Sequence, residues 1–432
     1  MRKRIIGAAL ALGAAALVQA KAQAAEAPAA GAAGSAVPGW NELIDRLRDL
    51  PDRLLAKLPE PLRDDPQVRQ EAARVALEAL GAQALSTVGA DGDHPQFLPV
   101  IGQVWNTGQP NADTVYRAAK LTPGGTYRLR GRAGTMRMAV IAESGPRPPQ
   151  PPGQTMPMVG PPRPVHDLNT LKVDAAGHYD VVLSPTRPAG WTGDWWQLDP
   201  TTNNLLLRFV GSDWGKEREP TVAIERLDLP PQRPRPSAAT LEQRLRDLPQ
   251  AVEFSTLMFG DHVDALRRQG FVNKFKIFDV SQSGGLKGQF YYEGVYDLAD
   301  DEALIVEAKA PTKCLYRSLI LTNELYETTD WYNNHSSLND AQAPVDKDGV
   351  LRIVVSAKDP GVPNWLDTAG YPTGIVQGRW TECDEHPIPE VRKVKVAEVR
   401  KYLPPETGTV TPAQREQIIR ERRAALLQRA MW

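Results

Sequence analysis

Cysteine, histidine and unbalanced charge are all scarce in this chain, and each scarcity removes a class of function. Its 432 residues include two cysteines, Cys314 and Cys383, and six histidines. Two thiols cannot complete a zinc or iron–sulfur site by themselves. His94, His166, His178, His262, His335 and His386 form no helical pair, no close strand pair and no cluster with cysteine. No metal and no other cofactor is expected. Lys and Arg number 51 against 52 Asp and Glu, so there is no electrostatic case for nucleic acid or an acidic membrane face. The Arg-rich C-terminal stretch is the one local basic excess.

Nucleotide and hydrolase signatures are missing too. Ser283-Gly284-Gly285-Leu286-Lys287-Gly288 is glycine-rich but lacks the Walker spacing and a following Ser or Thr. There is no Gly-x-Ser-x-Gly elbow, and no strong internal repeat is visible. The only long apolar run, Ile5 to Val18, follows Arg2-Lys3-Arg4 and precedes Ala22-Gln23-Ala24. That order predicts a cleavable signal peptide over 1–24, cut after Ala24 with Ala20 as second choice, and a periplasmic or secreted product with no membrane span. In an oxidising compartment Cys314 and Cys383 can pair or stay as buried thiols. Both lie in β-like runs where sheet neighbours reach bridging distance.

Turn formers are abundant. The 38 Pro and 34 Gly favour sheets and edges over a helical bundle, and the length calls for more than one core. Residues 25–38 read as a disordered Ala/Gly/Pro segment. Helical spacing through Trp40, Leu43, Ile44, Leu47 and Leu50, then an Asp65-Pro66 start and a Val68 to Leu80 stripe, marks a helical region over 39–95. Strand patterns at Thr126–Arg130, Thr135–Ala142, Tyr179–Leu183, Leu205–Val210 and Thr221–Leu227 define a first β domain over 96–229, with a Pro-rich insertion at 146–164. A Pro-rich linker and helices fill 230–274, with Leu241, Leu245, Leu248 and Val252 as a buried face and Gly270 ending a second helix. Strands at Gln289–Val295, Ala303–Ala308, Leu315–Leu321, Leu351–Ser356 and Ile375–Trp380 define a second β domain over 275–402. A capping box at Thr411–Gln414 opens a last helix within 403–432. The fold class that follows is mainly β, α+β overall: two antiparallel β-sandwich or jelly-roll-like domains with helical N-terminal, linker and C-terminal segments.

The segments Asn334-His335-Ser336-Ser337-Leu338-Asn339, Lys347-Asp348-Gly349, Asp359-Pro360-Gly361, Asn364-Trp365-Leu366 and Gly378-Arg379-Trp380 resemble the domain-of-unknown-function 1214 family. Asn111 to Tyr116, Tyr127 to Gly131 and Asp213 to Glu217 add further family-like pieces. The resemblance implies a β-sandwich, a cell-envelope setting and a tendency to form homo-oligomers, often beside a second domain of unknown function numbered 1254. It implies no reaction. The chain departs from the family at Asn333-Asn334-His335 and at Asp367, and both departures add polar or ionisable groups.

Amides and indoles crowd the loops between Trp331 and Trp380, where folding alone gives little reason for them. The expected site is a cleft at or between the β domains, taking a small-molecule or carbohydrate-like ligand. His335, Asp367 and Asp359 are the candidate acid/base groups. Asn334, Asn364 and Arg379 are polar anchors, Trp331, Trp365 and Trp214 an apolar wall, and Asp113 and Tyr116 the first domain's contribution. Asp213 and Glu217 flank Trp214, where an indole can raise a carboxyl pKa. Trp191, Trp195 and Trp196 form another aromatic cluster, read either as a stacking surface or as packing between the β regions. The reaction class expected is a cofactor-free lyase, isomerase or hydrolase; the alternative is a noncatalytic envelope protein for ligand binding or assembly.

Overall fold

The computed structural model of the chain describes residues 36–146, 163–281 and 285–429. The expected signal peptide over 1–24 and most of the 25–38 and 146–164 segments lie outside the described residues.

Among the described residues, eighteen strands build two sandwiches with one plan. The first uses β1 (Leu98–Pro99), β2 (Thr114–Lys120), β3 (Tyr127–Arg132), β4 (Met138–Ser144), β5 (Val165–Asp167), β6 (His178–Ser184), β7 (Asp194–Gln197), β8 (Asn204–Val210) and β9 (Ala223–Arg226). The second uses β10 (Lys276–Asp279), β11 (Gln289–Asp297), β12 (Glu302–Lys309), β13 (Cys314–Thr322), β14 (Ser337–Asn339), β15 (Val350–Ser356), β16 (Trp365–Asp367), β17 (Thr373–Cys383) and β18 (Glu390–Lys395). The sheets run β1-β2-β8-β4-β5 and β7-β6-β3-β9 in the first, and β10-β11-β17-β13-β14 and β16-β15-β12-β18 in the second. Adding nine to each strand number turns one pair of orders into the other. Even a parallel strand pairing recurs in the same place, β6 with β7 and β15 with β16. The molecule therefore contains a structural duplication that its sequence conceals.

Alternation explains each sandwich. Leu205, Leu207 and Phe209 of β8 are fully buried against Leu129, Ile141, Val181 and Leu183. In the second sandwich Tyr292, Leu304, Leu319, Val355 and Val376 fill the same space around a fully buried Trp380. The intervening residues, Tyr116 and Arg208 in one copy and Tyr291 and Arg379 in the other, must point out of the sandwiches. Those two outer faces meet. Met138, Val140 and Val210 pack on Leu286 and Tyr316, so the layers stack as sheet, sheet, sheet, sheet with a seam in the middle. Cys314 and Cys383 are register partners on β13 and β17 and are bonded as a disulfide.

Helices α1 (Trp40–Arg48), α2 (Leu50–Leu55), α3 (Glu60–Arg63), α4 (Pro66–Gln83) and α5 (Ala238–Leu257) form a side bundle around Leu43, Leu50, Ala79, Leu248 and Val252. Asp65 caps α4 and Thr411 caps the last helix, as their positions suggest, and Ser237 caps α5. Leu241 departs from expectation: it is 46% exposed, whereas Leu248 and Val252 further along α5 are buried. α6 (Gly260–Arg268) covers the rest of the outer face of β11 and β17 through Val263 and Leu266. α7 (Pro412–Leu427) lies on the second sandwich and reaches the first, where Arg429 donates to the Ala112 carbonyl at 3.2 Å. Among the described residues no helix is long and apolar enough to cross a membrane.

Candidate functional site

The seam between the sandwiches is polar where their interiors are apolar. On the first sandwich Tyr116 of β2 sits opposite Arg208 of β8; on the second, Tyr291 of β11 sits opposite Arg379 of β17. These are the same positions in the two copies. They face each other across a cavity of about 150 Å³, also lined by Ile101, Gln109, Asn111, Gln289, Tyr316 and Tyr326. Arg208 and Tyr291 keep partial exposure, whereas Arg379 is 2% exposed. Burial opposes the charge on Arg379, but the phenols of Tyr291, Tyr116 and Tyr316 outweigh it and hold its pKa above the usual value. Arg208 goes the other way: burial lowers it, against the pull of Tyr116 and Tyr291. Arg379 also stacks over the Tyr291 ring at 4.9 Å.

Arg379 carries a donor with nothing to give it to. Its Nη1 is buried and has no hydrogen-bond partner, and the same holds for Nε2 of Gln109 on the same cavity. No carboxylate stands among the groups that act most strongly on Arg379. An unanswered buried cation is costly. The backbone here is also forced. Gln109 takes a left-handed φ of 58° directly after Gly108 at 69°, and its N–H donates to the Tyr326 carbonyl at 3.0 Å. Tyr326 is itself left-handed at 66°. Such geometry in non-glycine residues is uncommon and gathers at ligand sites.

Two buried carboxylates brace the walls. Asp113 accepts from Tyr316 Oη at 2.6 Å, Trp214 Nε1 at 2.7 Å and Asn339 Nδ2 at 2.7 Å. Burial lifts its pKa despite these three donors. The Tyr316 hydroxyl accepts in turn from Asn111 Nδ2 at 2.8 Å. Behind the opposite wall Glu293 meets His262 Nε2 at 2.8 Å and accepts from Gln377 Nε2 at 3.2 Å. Burial would raise Glu293, but His262 and Lys276 beside it hold it below the usual range.

A larger space adjoins the cavity. It measures about 360 Å³ and shares Ile101, Thr114 and Tyr116 with the inner one. Val104, Trp105, Trp331, Tyr332, Leu426 and Leu427 give it a mostly apolar lining, with Arg117, Arg423 and Arg429 among its polar members. Gly81 of α4 admits the Trp105 indole, since a Cβ there would lie 2.8 Å from its Nε1. Val104, Asn333, Arg423 and Leu427 are exposed, so this space opens to solvent.

The residues singled out from sequence divide into two groups. Asp113, Tyr116, Trp214 and Arg379 converge on the seam, and Trp331 lines the adjoining space. His335, Trp365, Asp359 and Asn364 do not join them. His335 is buried beneath α7, with Nδ1 on the Trp365 carbonyl and Nε2 3.4 Å from Arg415 Nη1. Burial, then Arg422 and Arg415, hold its pKa well below the ordinary histidine value, so it does not titrate near neutrality as its residue type suggested. Asp359 is paired with Arg415 at 2.9 Å. Asp367 accepts from the Ala369 N–H at 2.8 Å and turns a loop, with a pKa raised by burial. Asn364 Nδ2 ties the Pro344 and Arg352 carbonyls, and Asn334 Nδ2 the Asp330 carbonyl. Asp359 and Trp365 line a separate, open space of about 970 Å³ beside α7 with Arg415, and His335 and Asp367 are not among its lining residues.

Asp213 also departs from expectation. The Lys216 ammonium at 2.8 Å holds it below the carboxylate range, and Trp214 turns away to Asp113. Trp195 belongs to structure: its Nε1 donates to Ser184 Oγ at 3.0 Å. Sequence reasoning missed Arg208, Tyr291, Tyr316 and Gln109. The first two could have been found only by aligning β2 and β8 with β11 and β17, a register that sequence does not display.

Among the described residues no group of three or more His, Cys, Asp or Glu side chains could hold a metal ion. No family model matches the chain, and no curated protein matches it. Among solved structures it is similar to an uncharacterized protein from Burkholderia cenocepacia, with a TM-score of 0.74 and 27% identity over 84% of this chain and 98% of that one. A Vibrio parahaemolyticus protein aligns with a TM-score of 0.42 and 13% identity over 82% of this chain and 100% of that one.

Proposed function

We propose that this protein binds a small organic anion in the cavity between its two sandwiches. One observation carries the reading: the buried Arg379 guanidinium, with a partnerless Nη1, shares a cavity with a second guanidinium, Arg208, and the partnerless Gln109 amide. An entering carboxylate supplies the missing charge and acceptors at once, through charge-assisted hydrogen bonds. A neutral sugar would leave Arg379 unanswered, which disfavours a carbohydrate ligand. The protein is then, in this reading, a noncatalytic ligand-binding component of the cell envelope. A periplasmic or secreted location is part of the proposal, supported by the basic and apolar N-terminal pattern and by the Cys314–Cys383 bond. Kinship with the domain-of-unknown-function 1214 family and homo-oligomer formation are carried along with it on the residues named above.

Cofactor-free acid/base catalysis is the second reading, and one contact favours it. Tyr316 lines the cavity and donates to the buried Asp113 at 2.6 Å, which gives a hydroxyl able to relay a proton to a bound anion. His335, Asp359 and Asp367 have no part in it. Tyr316→Phe separates the two readings: solvent-proton exchange into a bound ligand that the wild type catalyses and the variant loses supports catalysis, and binding with no exchange in the wild type supports simple binding.

The direct test is calorimetry and thermal melting of the mature chain with carboxylates, inorganic phosphate and sulfate. Saturation at a hundred times the dissociation constant should add about 2.7 kcal/mol of stability. Arg379→Met should weaken binding by at least about 30-fold, since truncating one side of a buried charge-assisted contact costs about 2 kcal/mol or more. A wild-type protein that no anion stabilises would sink the proposal.

A further inference from the structure

Resting on that reading of the seam, we infer that the ligand is an amphipathic monocarboxylate, with its head between Arg379 and Arg208 and an apolar body in the outer space. Size makes the first argument. The inner cavity of about 150 Å³ falls short of the roughly 300–1,000 Å³ that encloses a typical organic ligand. It fits a carboxylate and little more. The space beside it, about 360 Å³, reaches that range and shares the Ile101, Thr114 and Tyr116 walls. A molecule seated on Arg379 can continue into that space past Tyr116.

Lining chemistry makes the second argument. Ile101, Val104, Trp105, Trp331 and Leu427 surround the outer space. They offer contact area and few hydrogen bonds, the reverse of the Arg and Tyr lining within. A phosphate or a short dicarboxylate would leave this apolar wall unused. The exposed Arg423 and the half-buried Arg429 at the outer space bias approach toward anions without entering the inner cavity.

The experiment is competition calorimetry on the full mature chain with acetate, butyrate, hexanoate, 1-hexanol, inorganic phosphate and glutarate. Affinity should climb by about fourfold for each methylene buried from acetate to hexanoate, and 1-hexanol should not compete. Val104→Ser and Leu427→Ser, both at exposed positions and therefore safe for folding, should narrow the hexanoate-to-acetate ratio. Arg379→Met should weaken every carboxylate alike. If acetate and hexanoate bind equally, or phosphate or glutarate outcompetes hexanoate, the amphipathic ligand is wrong while the anion cavity stands. If no anion binds at all, the cavity reading fails with it.

Discussion

The two sandwiches are copies in topology, yet their corresponding tryptophans live in different surroundings. Trp195 and Trp365 occupy the same place on the parallel strands β7 and β16, beside Val182 and Val354. Each indole donates to a serine hydroxyl at 3.0 Å, Ser184 in one copy and Ser356 in the other. Those serines in turn donate to the carbonyl two residues on, Thr186 at 2.7 Å and Lys358 at 2.8 Å. Trp195 remains half-buried, whereas Trp365 is 4% exposed under α7, with the Arg415 guanidinium 5.0 Å from its ring. A shared backbone plan thus fixes a hydrogen bond but not its environment. What covers the sheet decides whether the same residue is a surface brace or part of a core.

The sharpest way to break this comparison is truncation of each indole. Trp365→Ala should cost about 3–5 kcal/mol, as for a buried aromatic, while Trp195→Ala should stay within about 1–2 kcal/mol. Denaturant midpoints measure both, and equal losses would mean that α7 adds nothing to Trp365. The seam arginines form the next pair. Arg379→Met should lower anion affinity by about 30-fold or more and Arg208→Met by less, roughly tenfold, because only Arg379 is fully enclosed. Arg379→Met should also leave the unliganded protein at least as stable, since it removes a buried charge lacking a carboxylate partner. Equal affinities in the two variants would show the pair to be symmetric in use as well as in position.

A third contrast concerns His335, two residues ahead of β14, whereas the histidine of the first sandwich, His166, sits within β5 opposite Ile141, where the second sandwich has Leu338 opposite Leu319. The folded pKa of His335 is depressed by burial and by Arg422 and Arg415. Below the unfolded value of about 6.5 the unfolded chain binds a proton that the folded chain refuses. Stability therefore falls with acidification through that window, by up to about 1.4 kcal/mol per pH unit. Glu78, raised to about 7 by burial and by Glu327, pulls in the opposite direction. The measurement is thus the difference in slope between wild type and His335→Gln from pH 7 to 5, and the variant should have the flatter acid limb. A parallel pair of curves would contradict the depressed pKa. The smallest effect expected is from Ser356→Ala and Ser184→Ala, both at fully buried hydroxyls: about 1–2 kcal/mol each, read by thermal melting, so that the serine twins should match where the tryptophans do not.

Much of the scaffold was legible because period-two alternation reports directly on burial. Strands such as Leu205–Val210, Leu351–Ser356 and Ile375–Trp380 could be read from their apolar residues, as could the caps at Asp65 and Thr411. Half of the seam was legible too: Asp113, Tyr116, Trp214 and Arg379 were all named before the geometry joined them. The density of polar residues around His335 misled, since those amides and carboxylates serve loop backbone and the α7 contact. A polar loop and a polar site look alike in sequence, because both satisfy hydrogen bonds and only depth tells them apart.

By itself the sequence determined which residues face inward along each strand, since alternation and burial free energy act locally and repeat every second residue. The tertiary structure alone decided which outward faces would meet. Arg208 and Arg379 lie 171 positions apart, and nothing near either records the other. They share a cavity because two sheets of like topology pack back to back, and that pairing is set by the shape and polarity of whole faces rather than by any neighbourhood in the chain.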